Sequence, residues 1–239
     1  DVVVEPAVLF EHATPARLVS WLSSMRAPSI ASPRHLPGAG AAIARGEIAI
    51  IGMAGVYPKS ADLSAFWDRL ANAEDCIETV PEQRWSLDEH FDADRPRAVK
   101  GGKSYGKWGG FIDGLDEFDP MFFNFSLAEA TYMHPKERQF IQCVWHALED
   151  AGYPPERLEQ DKVGVFVGVS KAGHDNYKDS FFSVANRVSY RFGFTGPSLP
   201  VDTACSSSLT AVHEACLHLQ TGECTVAIAG GVNAYTHPS

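Results

Sequence analysis

The sequence predicts an α/β fold, with a mostly parallel sheet covered by helices on both faces. Three observations predict it: short apolar runs typical of buried strands, amphipathic helical patterns between them, and glycines at the joins. Alternation of strands and helices is typical of crossover connections between parallel strands. The predicted strands are residues 47–53, 162–169, 199–203 and 225–229.

The predicted helices separate these strands. Apolar side chains at helical spacing predict a helix over residues 63–70, and residues 181–192 predict another. The clearest helix begins at Pro135 and ends at Gly152, because proline suits a first helical position and glycine a helix end. The last helix ends at Gly222 and carries one apolar stripe, made of Leu209, Val212, Cys216 and Leu219. Residues 73–125 are predicted to be mostly loop and short elements.

Composition excludes several classes of function. The 239 residues include 30 acidic and 20 basic ones, for a net charge of −10, so a nucleic-acid partner is disfavoured. No apolar run approaches the ~20 residues that span a bilayer. The five cysteines are odd in number and scattered, which favours a reducing, cytoplasmic compartment over a disulfide framework. No metal site is predicted, because there is no CxxC pair.

The first 46 residues differ from the rest. Residues 8–25 predict one amphipathic helix with its approach, with Thr14 as N-cap and Pro15 at the first position. Residues 26–46 are rich in proline, glycine and alanine, which is typical of a linker. A domain boundary is therefore expected before residue 47. The absence of an initial Met leads us to expect that the chain starts inside a longer product.

The main candidate for chemistry is the segment DTACSSS at residues 202–208, between a predicted strand and a predicted helix. Cys205 would lie at or just before the helix N-terminus, where unpaired N–H groups and the helix dipole stabilise a thiolate nucleophile. In the alternative interpretation the serines cap the helix and Cys205 is a small buried hydrophobe. His213 lies eight residues on, about 12 Å along the helix axis at ~1.5 Å per residue, too far for a hydrogen bond to Cys205.

Three other patterns are set aside. Gly102, Lys103 and Ser104 resemble the end of a P-loop, but Arg97 stands where that motif needs a glycine. The basic stretch from Arg95 to Lys107 is interpreted as a mobile loop among glycines. His213 and His218 are five residues apart, so they share a helical face poorly as metal ligands.

The DTACSSS segment resembles the nucleophile region of a β-ketoacyl synthase, the ketosynthase domain of a modular polyketide synthase. The resemblance is colinear over about residues 47–239. The supporting segments are EIAIIGMAGVYP (47–58), Phe66-Trp67, FDPMFF (118–123), PKER (135–138), WHALEDAGY (145–153), VFVG (165–168), ANRVS (185–189), GPS (196–198) and AGGVN (229–233).

This resemblance implies a thiolase-like fold, of which residues 47–239 would be the first half of a duplicated α/β core. It implies that Cys205 holds an acyl chain as a thioester until a carrier-bound malonyl-type extender loses CO₂ and attacks it. It also implies a homodimer and an acyl carrier protein as partner. No cofactor would be bound directly, since phosphopantetheine arrives on the carrier protein.

Further implications concern the ends of the chain. Residues 9–15, LFEHATP, are similar to the last helix of an acyl carrier protein, so residues 1–25 would be a carrier-protein remnant and 26–46 a linker. The two histidines of the family come from motifs expected beyond Ser239. The chain alone is therefore expected to be inactive, and the C-terminal half of the ketosynthase is expected as its partner.

Two departures from the family pattern bear on its subclass. His134 replaces the usual acidic residue, and Lys136 replaces a common glutamine. This variation indicates assembly lines that lack an embedded acyltransferase. Two other functions remain: a non-elongating ketosynthase that transfers acyl chains or serves as a structural dimer hub, and an unrelated cysteine hydrolase, which DTACSSS does not resemble.

Overall fold

The computed structural model describes residues 46–170 and 181–238, together with Arg17. The chain divides into two units, Asp1–Ile43 and Ala44–Ser239, and the second is described below. Apart from Arg17 and Gly46, the predicted carrier-protein helix and linker lie outside the described residues. Among the described residues, no helix combines the length and the apolar character needed to cross a bilayer.

The elements follow the predicted alternation. The helices are α1 Leu63–Ala71, α2 Leu87–His90, α3 Arg95–Gly101, α4 Leu127–Tyr132, α5 Pro135–Ala151, α6 Phe181–Phe192 and α7 Ser207–Thr221. The strands are β1 Glu78–Thr79, β2 Trp108–Gly109, β3 Val163–Gly168, β4 Ser198–Val201 and β5 Val226–Gly231. Short 3-10 turns occupy Pro155–Leu158 and Ala204–Ser206. Residues 73–125 hold only short elements, as the sequence predicts.

The central sheet has the order β4-β3-β5, and both pairings are parallel. Every residue of β3 is buried, which explains why its sequence is a continuous apolar run rather than an alternating one. The register places Gly168 opposite Val201 on one side and Gly231 on the other. The carboxyl ends of all three strands therefore meet at one edge of the sheet.

Helices cover both faces of this sheet, which confirms the predicted α/β layers. On one face, Ile141 and Val144 of α5 and Val188 of α6 pack in a single buried cluster with Val165 and Val167 of β3. On the other face, Phe166 of β3 packs against Ala211 and Ala215 of α7, with Cys224 beside them. Since side chains alternate across a strand, β3 contributes to both clusters.

The predicted strand at residues 47–53 is wrong. Residues 46–56 form neither strand nor helix, and Ile50 and Met53 are 81% and 59% exposed. The segment instead runs along α5, where a Cβ on Gly52 would come within 2.5 Å of the Ala147 carbonyl oxygen. A strand needs a paired neighbour for its backbone groups, and the described residues do not place one beside this segment.

One further expectation needs correction. The basic stretch around Arg95 is not a loop but contains α3, which begins because Asp94 accepts the Arg97 N–H at 2.9 Å. The apolar stripe of α7 is divided, because Leu209 is 75% exposed whereas Leu219 packs on the buried cluster that contains Phe166 of β3. The small residues Ala211 and Ala215 also face the sheet, and this lets the helix approach it closely.

Candidate active site

The segment predicted to carry the chemistry lies at the carboxyl edge of the sheet. Ser170 follows β3 by two residues, Asp202 follows β4 directly, and α7 begins a few residues later. In open α/β sheets, ligands bind in the crevice beyond the carboxyl ends of the strands. The position of the site therefore follows from the parallel topology.

Two glycines allow α7 to start against the sheet. A Cβ on Gly168 would stand 2.4 Å from the Ser208 nitrogen, and one on Gly231 would stand 2.7 Å from the Ser208 Cβ. Neither distance is possible for a real side chain, so both strand ends must be glycine for the helix to begin where it does. The glycines of strands β3 and β5 thus fix the place of the turn that precedes α7.

The turn before α7 is held in a strained conformation. Ala204 has φ of 56°, in the left-handed region that a residue with a Cβ rarely adopts. The Asp202 Oδ1 accepts the Ala204 N–H at 3.0 Å. The buried Ser207 hydroxyl accepts the Thr203 N–H at 2.9 Å and donates to the Ala204 carbonyl at 2.6 Å. Side chains on both sides of Cys205 therefore hold its neighbours in place.

Cys205 lies in the 3-10 turn Ala204–Ser206, immediately before α7, and it is exposed. The start of α7 has no side-chain cap, and Ser206 donates its hydroxyl back to the Thr203 carbonyl at 2.8 Å. The alternative in which serines cap the helix around a buried cysteine is therefore wrong. The geometry leaves the thiol accessible at an uncapped helix N-terminus, where an anion is stabilised.

Cys205 opens onto a cavity of about 1840 Å³. Ser170, Asp202 and Ser207 line the same cavity, as do the segment 46–58 and the segment 225–235, which contains β5. Much of this wall is apolar, and Ile50 and Met53 stand exposed on it. A large and mostly apolar space beside an accessible thiol suits a substrate with few polar groups.

The pKa of the Asp202 carboxyl is lowered, whereas the pKa values of two other cysteine thiols are raised. The Ser170 hydroxyl and then the Ala204 N–H lower the pKa of Asp202, because both stabilise the carboxylate. Burial raises the pKa of the Cys143 thiol, and burial also raises that of Cys224. These two cysteines are therefore held as neutral thiols, whereas the exposed Cys205 stands at the cavity.

The histidines are dispersed in the described part of the chain. The His218 Nδ1 lies 2.8 Å from the Glu214 carbonyl and its Nε2 lies 3.3 Å from Glu223, at the far end of α7. His134 caps α5, and His213 is exposed. None of the described cavity-lining residues is a histidine, and His174 lies outside the described residues. Within 46–170 and 181–238, no three potential ligands cluster as a metal would require.

The structure adds two residues, Lys136 and Ser170, to the surroundings of the cysteine turn. Lys136 is 3% exposed, and its Nζ donates to the Ser170 carbonyl at 3.0 Å. The Ser170 hydroxyl in turn donates to Asp202 at 2.6 Å. The only sequence signal for Ser170 is its position after a buried strand, and Lys136 stands out only as a departure from the family pattern.

The chain matches known proteins over nearly all of the described unit. Residues 45–239 match the family model of the β-ketoacyl synthase N-terminal domain. The chain is 48% identical over 205 residues to the polyketide synthase ThaG of Burkholderia thailandensis, covering 80% of this chain and 4% of that protein. It is 45% identical over 213 residues to the polyketide synthase PksL of Bacillus subtilis, covering 81% of this chain and 5% of that protein.

Solved ketosynthase structures also match this chain. The chain superposes on an oxazolomycin ketosynthase domain of Streptomyces albus with a TM-score of 0.76 and 48% identity, covering 81% of this chain and 36% of that one. The ketosynthase from module 6 of the bacillaene synthase of Bacillus subtilis gives a TM-score of 0.70 and 36% identity, covering 80% and 32%. The chain thus spans a small part of these relatives. With its parallel sheet and its cysteine turn, it belongs to the β-ketoacyl synthase family, as the N-terminal domain of a polyketide synthase ketosynthase with the thiolase-like fold.

Proposed function

We propose that this chain contributes the acyl-accepting half of a ketosynthase that elongates polyketide chains, with Cys205 as the nucleophile. The observation that carries this proposal is the place of Cys205: an exposed thiol at an uncapped helix start, opening onto a cavity of about 1840 Å³. A thiolate is a strong nucleophile and a good leaving group, so it suits both acceptance and release of an acyl chain.

The reaction has two stages. The Cys205 thiolate attacks the carbonyl carbon of a carrier-bound acyl thioester, and the carrier thiolate leaves with a proton taken up from the site. A malonyl-type extender on a second carrier then loses CO₂, and the resulting enolate carbon attacks the acyl-Cys205 carbonyl. The new C–C bond forms as the Cys205 sulfur leaves. The Cys205 backbone N–H at the helix start supports the oxyanion in both stages.

The C-terminal half of the ketosynthase is the proposed partner for the open side of the cavity. Apolar side chains of residues 48–56 are exposed there, and β5 lines the same cavity. An exposed apolar wall of this kind is normally covered by protein. That half would also supply the two family histidines, which stabilise the enolate as it develops. Residues 47–239 expressed alone should therefore associate in gel filtration or unfold without a sharp thermal transition. A monomer that melts sharply would contradict this.

The dimer and the carrier protein are proposed on separate grounds. The edge strand β4 carries Leu199, 39% exposed, and the neighbouring α6 carries Phe182 and Tyr190, 59% and 86% exposed. This apolar surface around the sheet edge supports a homodimer through the segment that precedes Cys205. Three further proposals rest on the resemblance: the acyl carrier protein as partner, the subclass without an embedded acyltransferase, and the carrier remnant at residues 1–25. The cytoplasmic location rests on the scattered cysteines, which favour a reducing compartment.

The test uses the intact ketosynthase that contains this chain and a short acyl thioester as donor. The wild-type protein should gain one acyl mass on the peptide that holds Cys205, and the Cys205→Ala variant should gain none. An equal gain in both would remove Cys205 from this role. A carrier-bound malonyl extender is then added: a β-ketoacyl product supports elongation, whereas acylation without condensation would show a non-elongating ketosynthase.

A further inference from the structure

A buried lysine lies close to the cysteine turn, at a position where a cation is unfavourable. Lys136 is the second residue of α5 and is only 3% exposed. The positive end of the helix dipole lies at this terminus and opposes a cation, and burial of an ammonium group is costly unless it is paired or hydrogen-bonded. A lysine kept buried at such a helix start must be stabilised by the groups around it, and this indicates a specific task in the structure.

The ammonium group of Lys136 is directed toward the end of β3. Its Nζ donates to the Ser170 carbonyl at 3.0 Å, across 34 positions of sequence. This bond fixes the backbone of Ser170 two residues beyond the strand. The side chain of Ser170 is then free to turn toward β4, the parallel neighbour of β3.

Ser170 connects this cation to the turn before α7. Its hydroxyl donates to the Asp202 Oδ1 at 2.6 Å, and the same oxygen accepts the Ala204 N–H at 3.0 Å. Ser170 Oγ also lies 3.5 Å from the Ser207 Oγ, which holds the Ala204 carbonyl. Both backbone groups of the strained Ala204 are therefore held by side chains that Ser170 contacts.

Strain of this kind persists only where the surroundings hold it. Ala204 has φ of 56°, and relaxation to a right-handed conformation would rotate the following residue, Cys205, away from its present direction. We propose that Lys136 and Ser170 are positioning residues which, through Asp202, hold the Ala204–Cys205 turn so that the Cys205 sulfur faces the cavity. This rests on the proposed role of Cys205 as nucleophile.

The test compares variants of the intact ketosynthase that contains this chain. Lys136→Met keeps the length and removes the donor, Lys136→Gln keeps an N–H donor, and Ser170→Ala removes the hydroxyl. Lys59→Met is the matched control, because Lys59 also donates to a backbone carbonyl at 3.0 Å, that of Asp75, but on an exposed surface. Two rates are measured by mass spectrometry at Cys205: acylation by a short thioester, and alkylation by iodoacetamide.

Lys136→Met and Ser170→Ala should each slow acylation of Cys205 about tenfold or more through kcat, with the KM for the thioester unchanged, because misplacement costs rate rather than binding. Lys136→Gln should restore most of the rate, and Lys59→Met should leave it unchanged. Alkylation should slow in parallel with acylation, because both reactions need the sulfur at the cavity.

The proposal is overturned if folded Lys136→Met and Ser170→Ala acylate Cys205 at the wild-type rate, or if only KM changes. It is also overturned if Lys136→Gln is as slow as Lys136→Met at equal melting temperature. Should Lys136→Met fail to fold, Ser170→Ala and Lys136→Gln decide the outcome. Failure of the proposed function looks different, since wild-type Cys205 would then take no acyl group at all.

Discussion

Helices α5 and α7 begin in opposite ways. At α5, the His134 side chain accepts the Lys136 N–H at 3.1 Å, and Glu137 accepts the His134 N–H at 3.1 Å, so the terminus is capped in both directions. At α7 no side chain caps the terminus, and the residue two before its N-cap is strained. The capped start stabilises the fold, whereas the start without a side-chain cap lies directly beside Cys205, the proposed nucleophile.

This contrast shows how one sheet supports two kinds of helix start. The polar groups around α7 are satisfied in the turn rather than in the helix, because Ser207 bonds to Thr203 and Ala204. The start of α7 therefore lacks the side-chain cap that stabilises α5, and it lies next to the proposed nucleophile Cys205. Variants at the two termini should therefore separate stability from reactivity.

The largest effect is expected from Gly168→Ala. A methyl group there would stand 2.4 Å from the Ser208 nitrogen, so α7 must shift away from the sheet. We expect a loss of about 3 kcal/mol in stability and, because Cys205 moves with the helix, about a hundredfold loss in acylation rate. Thermal melting and acylation of the ketosynthase measure both. Gly101→Ala is the control, since its Cβ would meet nothing closer than 3.9 Å.

Ser207→Ala should be next in size. It removes the buried hydroxyl that accepts the Thr203 N–H and donates to the Ala204 carbonyl. This loss should cost about 2 kcal/mol in stability. Because these bonds hold the turn around Cys205, acylation per folded molecule should also slow. A variant that melts lower but acylates at the wild-type rate would show that the turn holds its shape without Ser207.

His134→Ala tests the other terminus. Loss of an N-cap costs about 1 kcal/mol, and α5 should lose that stability through its first turn. Since His134 does not line the cavity and its side chain caps the backbone of Lys136, acylation of Cys205 per folded molecule should fall less than in Ser207→Ala. If acylation falls as much as in Ser207→Ala, the distinction between a stabilising start and a reactive start is wrong.

The smallest effect is a difference in thiol reactivity. Burial raises the pKa of Cys143 above its ordinary value of 9.0, and the same cause raises that of Cys224. Their neutral thiols therefore stabilise the fold below about pH 9, and this contribution is lost as pH rises through the raised values. Iodoacetamide at neutral pH should modify Cys205 first and Cys143 and Cys224 last. Earlier modification of Cys143 would contradict this order.

The sequence predicted the local features well because they depend on residues close together. Pro135 and Gly152 set the bounds of α5, and the apolar run at 162–169 predicted β3, since caps and periodicity are read from neighbouring residues. The predicted strand at 47–53 is wrong because the prediction used only neighbouring residues. Its apolar run is typical of a strand, but a strand also needs a second strand to pair with.

The sequence alone determined the α/β alternation, the family and the placement of Cys205 at a helix start, because each is encoded in contiguous residues. Only the tertiary structure decided that Lys136, Ser170 and Asp202 form one chain of hydrogen bonds, since they come from three elements far apart in sequence. It also decided that α7 faces the sheet with Ala211 and Ala215 rather than with Leu209. The glycines at the strand ends leave room only for small side chains, and this close packing is a property of two elements together.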